Sequence, residues 1–243
     1  MSSTKDTLFS NPVESLSSFK FDSAVVNVFP DMIQRSVPGY QTIIYAIGLL
    51  AARYARDHSV CYDLGCSLGA ATLSMRHQMS AKHCKIIAVD NSAAMLQQFK
   101  KNLQDDKGEI EVDVVCADIR DLCIENASVV VLNFTLQFLP VADRDAFLKK
   151  IYQGLLPGGI LILSEKLSFE DEKQQTLQTD LHHLFKKSQG YSDMEISQKR
   201  SALDNVLIAE TFANHQQRLQ AVGFSSVAVW FQYFNFASIV AIK

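Results

Sequence analysis

A chain of 243 residues, 48% hydrophobic and 20% charged, can bury one substantial core and predicts a single domain over 1–243. Its 23 basic and 26 acidic residues give a net charge of −3 and a pI of about 6.1. The basic surplus of a dedicated nucleic-acid binder is missing, so a small-molecule substrate is expected and direct nucleic-acid binding is not.

The longest apolar run, residues 43–52, falls short of the roughly twenty needed to span a bilayer. Lys5, Asp6, Glu14, Lys20 and Asp22 interrupt the first thirty residues, which do not read as a secretory signal. A cytoplasmic protein without membrane attachment is the expectation. Cys61, Cys66, Cys84, Cys116 and Cys123 are odd in number, form no CxxC pair and have no histidine at ligand spacing. They read as reduced thiols packed on strands and strand ends, and no metal is expected.

In chain order, residues 1–55 form an N-terminal extension of two helices, broken near Pro30 and again at Pro38-Gly39. Val60 to Leu64 reads as a buried strand, followed by a Gly-rich turn and a helix over 70–78. Lys85 to Asp90 is a second strand, and Asn91 or Ser92 can cap the helix through Met95, Phe99 and Leu103. Strands over 112–116 and 129–132 follow, the latter continuously apolar as a parallel strand covered on both faces should be. After Pro140, Phe147, Leu148, Ile151, Tyr152 and Leu155 share one helix face, and that helix should stop at Pro157-Gly158-Gly159. A fifth strand covers 160–163. Residues 165–210 form a polar helical insertion, with Glu170-Asp171-Glu172-Lys173 a solvated helix start. Gly223 closes a last helix, and 227–231 with 238–242 make an antiparallel pair. Five parallel strands finished by a hairpin give an α/β, Rossmann-like fold of the class I methyltransferase type: a seven-stranded, mostly parallel sheet with an antiparallel last strand.

Open α/β sheets bind ligands beyond the carboxyl ends of their strands. Asp63-Leu64-Gly65-Cys66-Ser67-Leu68-Gly69 follows the first strand. Its spacing misses the dinucleotide fingerprint but matches the methyltransferase pattern acidic-x-Gly-x-Gly-x-Gly, with Ser67 in the middle Gly place. Taken alone, a plain tight turn explains it equally well. Asp90 can accept from both hydroxyls of a ribose, or can simply cap a helix. Asp118 can accept from an adenine amino group beside the Ile119 N–H, or be a solvated loop residue. Asn133 follows the fourth strand, where methyltransferases line the sulfonium end of S-adenosylmethionine. The Asn133-Phe134-Thr135-Leu136 string lacks the Pro-Pro-Tyr of amino-group methyltransferases.

No nucleophile stands out. Cys66 has no cationic neighbour in sequence and reads as structural. The adjacent His182 and His183 read as a partly solvated pair, with a catalytic base the lesser alternative. Arg35 and Arg200 lie outside the sheet, where each could grip a carboxylate or serve a surface ion pair.

Several longer strings carry a more specific resemblance. They are Phe29-Pro30-Asp31-Met32-Ile33-Gln34-Arg35-Ser36-Val37-Pro38-Gly39-Tyr40, the stretch from Tyr62 through Gly69 to Ser74, and Asn133-Phe134-Thr135-Leu136-Gln137-Phe138-Leu139. Gly190-Tyr191-Ser192-Asp193-Met194-Glu195-Ile196-Ser197-Gln198-Lys199-Arg200 and Trp230-Phe231-Gln232-Tyr233-Phe234-Asn235-Phe236 complete them. Together they resemble the carboxy-S-adenosylmethionine synthase family over nearly the whole chain. The resemblance implies conversion of S-adenosylmethionine and prephenate to carboxy-S-adenosylmethionine, phenylpyruvate and water. It also implies a homodimer, and a tRNA carboxymethyltransferase that uses the product on a wobble uridine. It further implies that Tyr40, Gly65, Cys66, Ser67, Asp90, Asn91, Asp118, Ile119, Asn133 and Arg200 contact the nucleoside. Arg200 would come from the neighbouring subunit and pair with the new carboxylate, favouring the carboxylated form over plain S-adenosylmethionine.

In the route the resemblance implies, prephenate releases CO2 and hydroxide. The hydroxide takes a proton from the sulfonium methyl, and the resulting ylide captures CO2. The substrate then supplies the base, and the extension and insertion would act as lids that exclude water and touch the dimer partner. The alternatives are an ordinary methyltransferase of a small acid or tRNA, a non-catalytic adapter, and a dehydrogenase disfavoured by its Gly spacing.

Overall fold

The computed structural model describes residues 4–12, 19, 21–204 and 206–243. Glu14 and Lys20, read above as charges of the N-terminal stretch, lie outside the described residues. Among these residues one seven-stranded sheet runs in the order β3-β2-β1-β4-β5-β7-β6. The strands are β1 (Val60–Leu64), β2 (Lys85–Asp90), β3 (Glu111–Cys116), β4 (Ala127–Asn133), β5 (Leu155–Lys166), β6 (Ser226–Tyr233) and β7 (Phe236–Ile242). β1 to β5 pair in parallel, and β7 runs antiparallel to both β5 and β6. This is the topology expected from the sequence. Every residue of β4 from Ala127 to Leu132 is buried, because apolar layers cover both of its faces.

The helices are α1 (Ser23–Ser36), α2 (Tyr40–Tyr54), α3 (Ala70–Gln78), α4 (Ala93–Gln104), α5 (Val141–Gly154), α6 (Glu172–Ser188), α7 (Asp193–Leu203) and α8 (Phe212–Val222). Their ends follow local chemistry. Ser92 is the cap of α4, its hydroxyl accepting from the Met95 N–H. Ser192 and Glu195 form a reciprocal capping box on α7. Asp171 caps α6 at the acidic start read from sequence, and Gly223 ends α8 at φ 122°.

Two boundaries differ from expectation. Pro30 does not break the first helix but lies inside α1. Val25, Val28 and Met32, on both sides of the proline, pack with Met95 of α4, and that packing outweighs the lost N–H. The helix before β5 ends at Gly154 rather than at Pro157-Gly158-Gly159, and the strand already begins at Leu155 opposite Ala127. Gly154 is required there, since a Cβ would meet the Ile124 carbonyl oxygen at 2.1 Å.

The extension and the insertion are fastened to each other. The Asp6 N–H donates to Asp31 Oδ2 at 2.7 Å, and its carboxylate accepts from the Tyr191 hydroxyl. Arg35 donates to the Gln189 carbonyl at 2.8 Å and to Asp31 at 3.0 Å, and its guanidinium covers the Tyr191 ring. Arg35 is therefore a buried clamp rather than a surface ion pair. Three cysteines are buried as expected, but Cys116 and Cys123 are exposed, and all five are free. No described helix is long and apolar enough to cross a membrane.

Candidate active site

The parallel register brings the carboxyl ends of β1, β2 and β4 to one edge, Leu64 beside Val89 and Asp63 beside Val131. A cavity of about 770 Å³ opens there. Its floor is the strand-end loops. Phe21, Phe29, Met32 and Ser36 of the extension and Thr179, His182, Lys199 and Leu203 of the insertion form other walls. All ten residues singled out in the sequence line this one cavity: Tyr40, Gly65, Cys66, Ser67, Asp90, Asn91, Asp118, Ile119, Asn133 and Arg200.

The loop after β1 turns on positive φ angles, 84° at Gly65, 51° at Ser67 and 83° at Gly69. A Cβ on Gly65 would lie 2.3 Å from the Thr135 hydroxyl, and one on Gly69 would lie 2.0 Å from the Phe99 ring, so both must be Gly. Ser67 tolerates its angle with help from neighbours. Its N–H donates to Asp90 Oδ2 at 2.9 Å, and its hydroxyl reaches the Met95 sulfur at 3.6 Å. Asp63 closes the same loop by accepting from the Thr72 N–H and hydroxyl at 2.9 and 2.6 Å. Burial pushes its carboxyl up to about 6, and the nearby Asp90 adds to the rise.

Asp90 orders two backbones at once, since Oδ1 accepts from the Ser92 N–H at 2.8 Å. Burial raises its pKa and these N–H donors oppose the rise. Burial, and then Asp63, push the Tyr40 phenol up, so it stays protonated as a donor. Burial also raises the Cys66 thiol, which suits a packed wall rather than a nucleophile. Asp118 is partly exposed but not free. Arg120 grips both of its oxygens, at 2.7–3.2 Å, and holds it below the usual carboxylate range. Asn133 offers a buried Oδ1 with no partner among the described residues.

One of the two histidines departs from expectation, while His183 is half-buried. His182 is buried and lines the cavity. Burial, reinforced by Lys186 and Lys166, lowers its pKa to about 3. Its Nε2 donates to the Ser36 carbonyl at 2.9 Å and its ring meets Phe236 edge-on. An imidazole so hard to protonate is a poor base at neutral pH. Arg200 is exposed and lines its own chain's cavity. Sequence reasoning overlooked Lys166, Lys186 and Lys199, which also line it. The available signal was the His182/Lys186 spacing of one helical turn and the adjacency of Lys199 to Arg200.

Residues 61–159 match the model of the methyltransferase domain family. The chain is 60% identical over 239 residues to the carboxy-S-adenosyl-L-methionine synthase of Vibrio cholerae, covering 98% of this chain and 97% of that one. It is 59% identical over 244 residues to that of Trichlorobacter lovleyi, covering all of both. The chain belongs to the carboxy-S-adenosyl-L-methionine synthase family.

Solved structures show the fold that this synthase family shares with methyltransferases. The magnesium protoporphyrin IX methyltransferase of Synechocystis, solved with SAH bound, superposes with a TM-score of 0.57 at 15% identity, over 84% of this chain and 82% of that one. A Methanococcus maripaludis protein proposed to be an S-adenosylmethionine-dependent methyltransferase gives 0.61 at 20% identity, over 95% and 97%. The synthase cavity fits an S-adenosyl nucleoside by its donor set. It offers carboxylates at the ends of β2 and β3, a loop whose two Gly admit no side chain, and the unpartnered Oδ1 of Asn133.

Proposed function

We propose that this synthase converts S-adenosylmethionine and prephenate to carboxy-S-adenosylmethionine, phenylpyruvate and water. The observation that carries the reading is the convergence of the ten strand-end and flanking residues on one roofed cavity. In this reading Asp90 accepts from the ribose hydroxyls, and Asp118 with the Ile119 N–H holds the adenine edge. Gly65, Cys66 and Ser67 pass close beneath the nucleoside with Asn91 beside it. Tyr40 and Asn133 flank the methionyl and sulfonium end, and Arg200 pairs with the carboxylate of the product.

The chain's own part in the chemistry is to bind, orient and exclude water. Neither His182 nor Cys66 is suited to act as a base on a sulfonium methyl. His182 is held neutral with its Nε2 proton committed to Ser36, and Cys66 is a raised, buried thiol. A base released from prephenate together with CO2 fills that role without a side chain. Walls built by the extension and the insertion keep water from returning the proton and CO2 from escaping.

We infer further that the protein works as a homodimer in the cytoplasm. Its product would pass to a tRNA carboxymethyltransferase that modifies a wobble uridine, with no direct contact between this chain and nucleic acid. The test is the mass of the nucleoside formed from S-adenosylmethionine and prephenate. A gain of one CO2 supports the synthase reaction, and S-adenosylhomocysteine as sole product means methyl transfer instead.

A further inference from the structure

The cavity holds more positive charge than an S-adenosyl nucleoside can use. Besides Arg200, its lining includes Lys166 at the end of β5, Lys186 on α6 and Lys199 on α7. Lys186 and Lys199 are only 7% and 6% exposed. Lys199 donates to the Ser36 hydroxyl at 3.0 Å and lies 3.8 Å from Asp6. The ammonium groups of Lys166 and Lys186 have no hydrogen-bond or ion-pair partner among the described residues.

These cations repel one another. Burial lowers Lys186 to about 7, with Lys199 and then Lys166 adding to the fall and Asp6 opposing it. Lys166 is lowered by burial and by Arg200, against Asp204 alone. The Asp6 carboxylate is already engaged by the Tyr191 hydroxyl and the Leu8 N–H. Ammonium groups that face a cavity largely walled by protein and have no counter-ion are unfavourable, and the deficit shrinks if the counter-charge arrives with a ligand. Asp63, Asp90, Asp118 and Asp204 also line the cavity, but the nucleoside, with one carboxylate against an ammonium and a sulfonium, adds net positive charge, so the anion that balances these lysines comes with the other reactant.

We propose that Lys166, Lys186 and Lys199 form the carboxylate-holding subsite for a dianionic dicarboxylic co-substrate, and that Lys186 grips the carboxylate that stays on the keto-acid product. This rests on the synthase reading. The choice of carboxylate follows from the chemistry. A carboxylate that leaves as CO2 gives up its electron pair, and pairing it with an ammonium would hold that pair back. The carboxylate that remains can be gripped without resisting any bond change. Arg200 stays available for the new carboxylate on the nucleoside.

The test uses the full chain loaded with S-adenosylhomocysteine, which cannot react, and titrates prephenate by calorimetry. Lys186→Met should weaken prephenate about 10- to 100-fold while S-adenosylhomocysteine affinity stays within twofold, and Lys186→Arg should recover most of the loss. Phenylpyruvate, which keeps only the remaining carboxylate, should weaken by the same factor. Lys166→Met provides a second variant with the same expected direction. Undiminished prephenate binding in both variants overturns the subsite, as does a parallel loss of S-adenosylhomocysteine. Loss confined to prephenate overturns the assignment of the carboxylate. Wild-type protein that binds prephenate but yields no carboxylated nucleoside defeats the synthase reading, and the binding data then judge the subsite alone.

Discussion

Arg144, wholly buried on α5, forms an ion pair with Glu210 while donating to the carbonyls of Gln137 at 3.2 Å, Leu139 at 3.1 Å and Ile208 at 2.9 Å. One guanidinium thus ties the 3-10 turn Leu136–Phe138, which lines the cavity, to the irregular segment leading into α8. Arg144→Met removes the ion-pair partner and strips the Leu139 and Ile208 carbonyls of this donor, while Gln137 keeps the Ile208 N–H at 2.9 Å, and should cost about 3–5 kcal/mol in urea unfolding. A loss below about 1 kcal/mol would show that the network is dispensable.

Glu210 also sets an acid limit. Burial pushes its carboxyl up, but hydrogen bonds from Arg218 and Arg144 outweigh that and hold it at about 2. A depressed carboxylate contributes stability above its ordinary value of 4.5 and loses it as pH falls toward 2. Glu210→Gln should be less stable than wild type at neutral pH and should lack that part of the acid slope in melting curves. His215, lowered to about 4 by burial against the nearby Glu210, gives a separate loss between pH 6.5 and 4 that the variant deepens by removing that charge. An unchanged slope below pH 4.5 would remove Glu210 from this role.

The left-handed backbone at Ser67 predicts a size rule. Ser67→Gly should stay within about 1 kcal/mol of wild type, since relief of the positive φ offsets the extra freedom of the unfolded chain. Ser67→Val puts a β-branched residue at φ 51° and should destabilise by more than about 1 kcal/mol. Equal stability of the two variants in thermal melts would contradict the strained turn.

Asp90 gives the sharpest binding prediction. Removing the carboxylate deletes the proposed ribose acceptor and frees the Ser67 and Ser92 N–H groups it organises. Asp90→Ala should lower S-adenosylhomocysteine affinity about 10- to 100-fold in calorimetry. Affinity within threefold of wild type would move the ribose elsewhere.

Arg200 lines its own chain's cavity, whereas the family resemblance implies a guanidinium donated between subunits. Mixed dimers of Arg200→Ala with Asp90→Ala separate the two. If Arg200 acts across the interface, a mixed dimer contains one site with both groups intact and regains up to half of wild-type turnover per such dimer. If it acts within its own chain, every site lacks one group and the mixture stays inactive.

Much of this was readable from residue order because strand ends are local features. Asp63, Asp90 and Asn133 each follow a run of apolar β-formers, and parallel register alone carries such ends to one edge. The boundaries that went astray depended on packing between distant elements. Pro30 stays helical because Met95 of α4 packs against residues on both sides of it, and β5 starts early because Gly154 abuts the Ile124 carbonyl. Lys166, Lys186 and Lys199 gave no warning for a similar reason. Lys166 closes a strand where a charge looks like a solvated end, Lys186 and Lys199 sit on polar helices, and only the docking of α6 and α7 over the sheet edge makes all three line one cavity.

Asp6 holds Asp31 of the extension on one side and Tyr191 of the insertion on the other. With Arg35 bound to the Gln189 carbonyl, Asp6 thus fastens the two covers of the crevice together. Neither cover can shift against the other without breaking this join, which lies far in sequence from the strand-end residues it shelters.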